Sequence, residues 1–243
     1  MKFKLHNLEY FINLIKDKKH FTLTKIGDGE LISIFKSIGW LPQNQFGNCN
    51  TDRHYYFDDM GLAIHNTLIN EKGYYKYFHP GWLNSTIAKP IHNKHLCNLL
   101  QKYIKDFNIS PPNLCDSRHA FYVEAKSGKL KPLKDQLEKQ NFIVISEKRK
   151  RKIPIKYVDF IETPITNSWT EKESIKEKMI GMVEKYENPI FGLSIGMPSL
   201  VIQDELYPLI GDKSTMINFG SIWDPFLNIK SRGYHHTYKS TKL

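Results

Sequence analysis

The chain has 243 residues, of which 40% are hydrophobic, 13% aromatic and 25% charged, and its formal net charge is +10. That length suits one domain with a full core, and no stretch approaches the roughly 18 apolar residues of a membrane span. Cys49, Cys97 and Cys115 form no C-x-x-C pair, which excludes an even disulfide framework and a zinc site of ordinary spacing.

The N-terminal stretch is basic but has no long apolar core. Leu5, Leu8, Phe11, Ile12 and Ile15 fall at helical spacing, which predicts an amphipathic helix and not a signal peptide. With isolated thiols, this points to a reducing, cytoplasmic setting with no membrane partner. Residues 21–26 alternate as a strand, and GELISIFKSIGW (29–40) reads as a helix. Further helices are predicted over 57–70 and 94–107, with an aromatic cluster of Tyr74, Tyr75, Tyr77, Phe78, His79 and Trp82 between them. Residues 141–146 (NFIVIS) predict a fully buried strand, and 157–161 another. A helix over 170–186 carries a capping-box pattern, with Thr170 as cap and Glu173 three residues on. PIFGLSIG (189–196) is a strand, Pro198 opens the next helix, STMINFG (214–220) is the last strand, and the tail is irregular.

This alternation predicts an α/β fold with an open, largely parallel sheet flanked by helices, as one domain with a helical and aromatic insertion around 56–140. In such sheets ligands bind beyond the carboxyl ends of strands. Three segments follow predicted strands: Gly27–Glu30, Ser194–Ser199 and Gly220–Asp224.

In Gly27-Asp28-Gly29-Glu30 two carboxylates lie two residues apart, between glycines that permit a sharp turn. Asp28 and Glu30 can share a hard cation with substrate phosphates. They can equally be a helix cap and a first-turn acid. Ser194, Gly196 and Met197 end a strand where a helix begins, a place for phosphate or for an ordinary joint. The segment from Gly220 to His236 gathers Trp223, Asp224, Arg232, Tyr234, His235 and His236. Arg232 can grip a diphosphate, Trp223 can stack on a base or pack in the core, and Asp224 or His235 can accept a proton. The polar, aromatic loop at 48–56 adds Asp52 and His54 as pocket candidates, Asp52 also as a catalytic one. Lys148, Arg149, Lys150, Arg151 and Lys152 form a basic run that suits a nucleic-acid backbone or a solvated loop.

Read in order, K-I-G-D-G-E, N-C-N-T-D-R-H-Y-Y-F, I-T-N-S-W, S-I-G-M, I-N-F-G-S-I-W-D-P-F and S-R-G-Y-H resemble the GT-D-fold glycosyltransferases, in particular their phage and viral branch. The hallmark D-x-E appears as Asp28-Gly29-Glu30, and the likeness spans about residues 21–236. The resemblance implies a Rossmann-like fold and transfer of a sugar from a nucleotide sugar, a UDP-sugar first among them, with Mn²⁺ or Mg²⁺. It places the metal and donor diphosphate at Asp28 and Glu30, and lines the donor site with Gly27, Gly29, Ser194, Gly196, Met197, Trp223 and Arg232. Asp224 and His235 carry over as site residues. Lys25 stands where arginine is commoner, and the heavy basic charge is no feature of the family. That charge, with the phage-like resemblance, points to DNA as acceptor, at 5-hydroxymethylcytosine flipped from the duplex. A surface glycan or small-molecule acceptor is the alternative within the enzyme class. A non-enzymatic nucleic-acid-binding protein is the alternative outside it.

Overall fold

The computed structural model describes residues 6–45, 58–70, 75–78, 94–109, 114–116, 121 and 123–229. The chain opens with α1 (Leu8–Lys16), β1 (Thr22–Ile26) and α2 (Asp28–Ser37). Next come α3 (Asp58–Ile69), β2 (Tyr75–Phe78), α4 (Lys94–Asp106), β3 (Leu114–Asp116), α5 (Val123–Lys126) and α6 (Lys131–Leu137). The second half holds β4 (Phe142–Glu147), a 3-10 turn at Lys148–Lys152, β5 (Asp159–Thr163) and α7 (Lys172–Lys185). It closes with β6 (Ile190–Ser194), α8 (Pro198–Ile210), β7 (Thr215–Asn218) and a second 3-10 turn at Asp224–Leu227.

The strands form one sheet in the order β3-β2-β1-β7-β6-β4-β5, and every neighbouring pair is parallel. A parallel sheet needs cover on both faces, so its strands read as continuous apolar runs. In β4, FIVISE is buried at every position. Phe142 and Val144 face a core with Leu8, Phe11 and Ile15 of α1 and Leu133 and Leu137 of α6. Ile143 and Ile145 face the opposite side, against Ile175 and Met179 of α7 and Ile202 and Leu206 of α8. On that same side Ile26 of β1 packs with α2, α3 and α4 through Leu31, Phe35, Ile64, Leu100 and Tyr103. Cys97 lies buried in this cluster as a packing residue. Among the described residues no helix is long and apolar enough to cross a membrane.

Several local expectations change. The stretch 56–140, read as an insertion, contributes β2 and β3 to the same sheet, paired in parallel to β1 and to each other. The strand expected at 157–161 begins two residues later. The capping box at Thr170 does not form: the Thr170 hydroxyl donates to the Asn167 carbonyl at 2.9 Å, and Glu171 is the cap residue. Asn167 is left-handed (φ 56°), and the turn it makes draws the threonine away from the helix start. Glu173 instead pairs with Lys172 and Lys176.

The seam between β1 and β7 positions the site. β1 pairs with β2 from Leu23 to Ile26, but with β7 only at Thr22↔Met216 and Leu23↔Ile217. The β1–β7 ladder therefore ends at Leu23↔Ile217, one residue before β7 ends at Asn218, while β1 runs on to Ile26. From the α8 side, the Gln203 side-chain amide donates to the Leu23 and Met216 carbonyls, each at 3.1 Å, and bridges the seam at its closed end. Strands β2 and β3 lie on one side of β1 and β4–β7 on the other, so the order reverses at this seam. Such a reversal is where open α/β sheets leave a crevice.

Candidate functional site at the carboxyl end of the sheet

Three glycine-bearing turns meet at the ends of adjacent strands. After β1, Gly27 takes an extended conformation and caps α2, so Asp28 is the first helical residue and not the cap. After β6, Gly196 is left-handed (φ 74°) and α8 starts with Pro198 in its first turn. After β7, Gly220 is left-handed (φ 56°), and its N–H donates to the Asn218 side-chain oxygen at 3.0 Å. The turns are in contact. A Cβ on Gly29 would lie 3.3 Å from the Met197 sulfur, and one on Gly220 would lie 3.6 Å from Lys25 Nζ. Ser194, half-buried at the end of β6, offers its carbonyl to the Ser146 hydroxyl at 3.2 Å.

The acidic pair has distinct environments. Asp28 is exposed, and its Oδ1 accepts from the Gly29 N–H at 3.0 Å. Glu30 is half-buried and reaches back to the cap, where its Oε2 accepts from the Gly27 N–H at 2.9 Å. Burial pushes the Glu30 carboxyl above the ordinary glutamate range. Its own backbone N–H, that of Gly27 and the Lys25 ammonium each pull it down in part, and the Asp28 carboxylate pushes it up. The like charge of Asp28 and the desolvation of Glu30 are both relieved by a cation at this turn. Among the described residues no group of three or more His, Cys, Asp or Glu is gathered for a metal. Two carboxylates on one turn are the donor type that a hard cation completed by substrate phosphates and water would use.

Other sequence candidates fare differently. Asp52, Arg232 and His235, with His54, lie outside the described residues. Trp223, expected as a stacking platform, is 2% exposed in the core against Phe219, with ring centroids 5.0 Å apart. An indole so enclosed has no free face for a ligand. Asp224, expected as a proton acceptor, is also buried, with Oδ1 2.7 Å from Lys150 Nζ. The basic run is correspondingly engaged. Arg149 donates to both oxygens of Glu147, one at 2.6 Å, and hydrogen bonding to that carboxylate holds its guanidinium above its ordinary range. Arg151 pairs with Glu162 at 3.0 Å and lies over the Phe160 ring. Lys148 and Lys152 are exposed, and among the described residues neither pairs with a carboxylate.

No protein-family model and no curated protein matches this sequence. Solved structures do. A glycosyltransferase (DUF1792) from Streptococcus sanguinis superposes with a TM-score of 0.63 at 12% identity, covering 92% of this chain and 83% of that one. The chain has the DUF1792 fold. A DUF1792 structure described as having a distinct glycosyltransferase fold gives 0.59 at 11% identity, over 99% and 85% of the two chains. A selenomethionine-substituted DUF1792 domain gives the same values. At these identities the likeness is one of fold, and the α/β, parallel-sheet architecture is common to all.

At this end of the sheet the sequence does not single out one residue, Asn218, nor the inward role of a second. Asn218, buried at the tip of β7, fixes the Gly220 turn through its side chain. The signal for it is N-F-G directly after an apolar strand, since asparagine readily binds the backbone two residues on. Lys150 is the second. It sits mid-run among four other cations, and nothing local marks it as the buried one.

Proposed function

We propose that this protein is a glycosyltransferase that moves a sugar from a nucleotide-sugar donor, a UDP-sugar in the first instance, to a hydroxyl acceptor. One observation carries the reading: the Asp28/Glu30 turn, with Lys25 beside it, stands at the carboxyl end of the β1–β7 seam in a fold shared with a glycosyltransferase. Asp28 and Glu30 would hold a divalent cation, Mn²⁺ or Mg²⁺, and Lys25 would face the donor diphosphate from the other side of the turn. The cation, when bound, supplies Lewis-acid stabilisation to the leaving nucleoside diphosphate. Glycines at 27, 29, 196 and 220 let backbone and phosphate approach closely, and the start of α2 favours negative charge. The acceptor oxygen forms a bond to the anomeric carbon as the bond from that carbon to the diphosphate oxygen breaks. The diphosphate leaves with the electron pair. The acceptor proton passes to a general base, for which Asp52 and His235 are the candidates, because Lys150 already engages Asp224.

The acceptor we assign is a hydroxymethylated pyrimidine in DNA, 5-hydroxymethylcytosine. The net charge of +10 supports it, and Lys148 and Lys152 offer exposed cations near the carboxyl end of β4. The ion pairs of Arg149, Lys150 and Arg151 reduce what the run itself contributes. The test incubates hydroxymethylated and unmodified DNA with a panel of nucleotide sugars and Mn²⁺, followed by mass spectrometry of the nucleosides. A mass increase of one hexose on the modified base supports both halves of the reading. Donor turnover without DNA labelling, and without salt-sensitive DNA binding, moves the acceptor to a glycan or small molecule. No turnover of any donor, with DNA binding intact, leaves a non-enzymatic nucleic-acid-binding protein.

A further inference from the structure

The turn at Lys148–Lys152 is tied down by three carboxylates from three different places. Glu147 at the end of β4 holds Arg149, Glu162 of β5 holds Arg151, and Asp224 of the last 3-10 turn holds Lys150. The Tyr157 hydroxyl adds a hydrogen bond to the Arg151 carbonyl at 2.7 Å. The pairs are not equivalent. The side chains of Lys150 and Asp224 are 8% and 3% exposed, whereas those of Arg151 and Glu162 are about half exposed. An exposed pair contributes little, but removing one partner of a buried pair leaves an uncompensated charge in the interior.

The buried pair also joins two segments that the sheet does not. Lys150 follows β4, and Asp224 lies beyond β7, with β6 between them in the sheet order. Asp224 is four residues from Gly220, and a Cβ on Gly220 would lie 3.6 Å from the Nζ of Lys25, which precedes the Gly27–Glu30 turn on β1. The path of residues 219–229 along the carboxyl end of the sheet therefore has two anchors. One is the core, where Phe219, Ile222 and Trp223 are buried together, and the other is the Lys150–Asp224 contact.

We propose that Lys150 and Asp224 form a charge latch that positions the segment after β7 against the β1 turn, so that Asp224 is a positioning residue and not the proton acceptor. The basic run is on this view an internal brace. Its sign matters because it neutralises buried and half-buried acids, and its alternation puts one lysine inward between two outward arginines. The activity arm rests on the glycosyltransferase reading, and the stability arm does not.

The test compares Lys150→Met, Asp224→Asn, the double variant and the exchanged pair Lys150→Asp/Asp224→Lys. Tm and donor turnover with Mn²⁺ are measured for each. Each single variant is expected to lower Tm by roughly 10 °C. The double variant is expected to lose clearly less than the sum of the two. Single variants raise the donor KM more than they lower kcat, and the double or exchanged variant recovers KM to within several-fold of the parent. Additive Tm losses overturn the latch. A double variant with restored Tm but turnover still as low as Asp224→Asn overturns the positioning role and returns Asp224 to the reacting atoms. If the parent protein turns over no donor, the glycosyltransferase reading fails, and the Tm cycle alone upholds or rejects the latch.

Discussion

The Gly27–Glu30 turn and the Lys148–Lys152 turn both follow buried strands and both concentrate charge, yet the fold uses them in opposite ways. At the first, Asp28 is exposed, Glu30 accepts from the Gly27 N–H at the helix start, and the Lys25 ammonium offsets part of their charge. At the second, the three central cations each meet a carboxylate, and one pair is buried. A carboxylate that is partly desolvated and beside a second one, with its cation offsetting it only in part, is a candidate for a ligand. Charge already matched within the fold is structural. The sequence alone leaves both turns open between a ligand role and a structural one, and the geometry separates them.

The comparison can be broken most severely at Lys150. Lys150→Met is expected to destabilise the protein by about 3 kcal/mol, measured by chemical denaturation, because the buried Asp224 loses its direct cation and keeps only the more distant attraction of Arg149. Lys150 behaving like a surface lysine removes the contrast. Next in size, Asp28→Ala and Glu30→Ala are each expected to lower donor turnover by about 10²-fold or more while leaving the fold intact. Nucleoside diphosphate release measures this, with circular dichroism for the fold.

The pH dependence sharpens the same contrast. Glu30 has an ordinary value of 4.5 and a folded value raised by burial. Between the two, the folded protein holds a proton that the unfolded chain has released, so Glu30 makes stability fall as pH rises through that window. A cation at Glu30 must displace the proton, so its apparent affinity rises with pH over the same range. The Mn²⁺-induced Tm shift, followed across pH, is expected to grow accordingly, and Glu30→Gln is expected to flatten it. The smallest effect belongs to the exposed ends of the basic run. Lys148→Met and Lys152→Met are expected to change stability by no more than about 0.5 kcal/mol. If DNA is the acceptor, losing both lowers the slope of log affinity against log salt by about 2.

Where the sequence is periodic, the fold is legible in it. The alternation of residues 21–26 and the apolar runs FIVIS and IFGLS become β1, β4 and β6, and Pro198 opens α8 as expected. β2 and β3 are not legible for a physical reason. Tyr75–Phe78 lies inside an aromatic cluster with no apolar alternation, and Leu114–Asp116 is only three residues long, so neither carries a period. The meeting of the three glycine turns follows from parallel order alone, because each comes after a strand. What the sequence does not carry is pairing between distant residues. Nothing near Lys150 names Asp224, and nothing near Trp223 tells a core indole from a stacking one. Both depend on how the chain after β7 crosses the end of the sheet.

A crystal of the protein soaked with uridine diphosphate and Mn²⁺ tests the donor site most directly. The expected result is diphosphate density at the β1–β7 seam, with Mn²⁺ on Asp28 and Glu30 and the phosphates within reach of Lys25. Diphosphate bound away from the Gly27–Glu30 turn, or no binding at millimolar concentration, would contradict it.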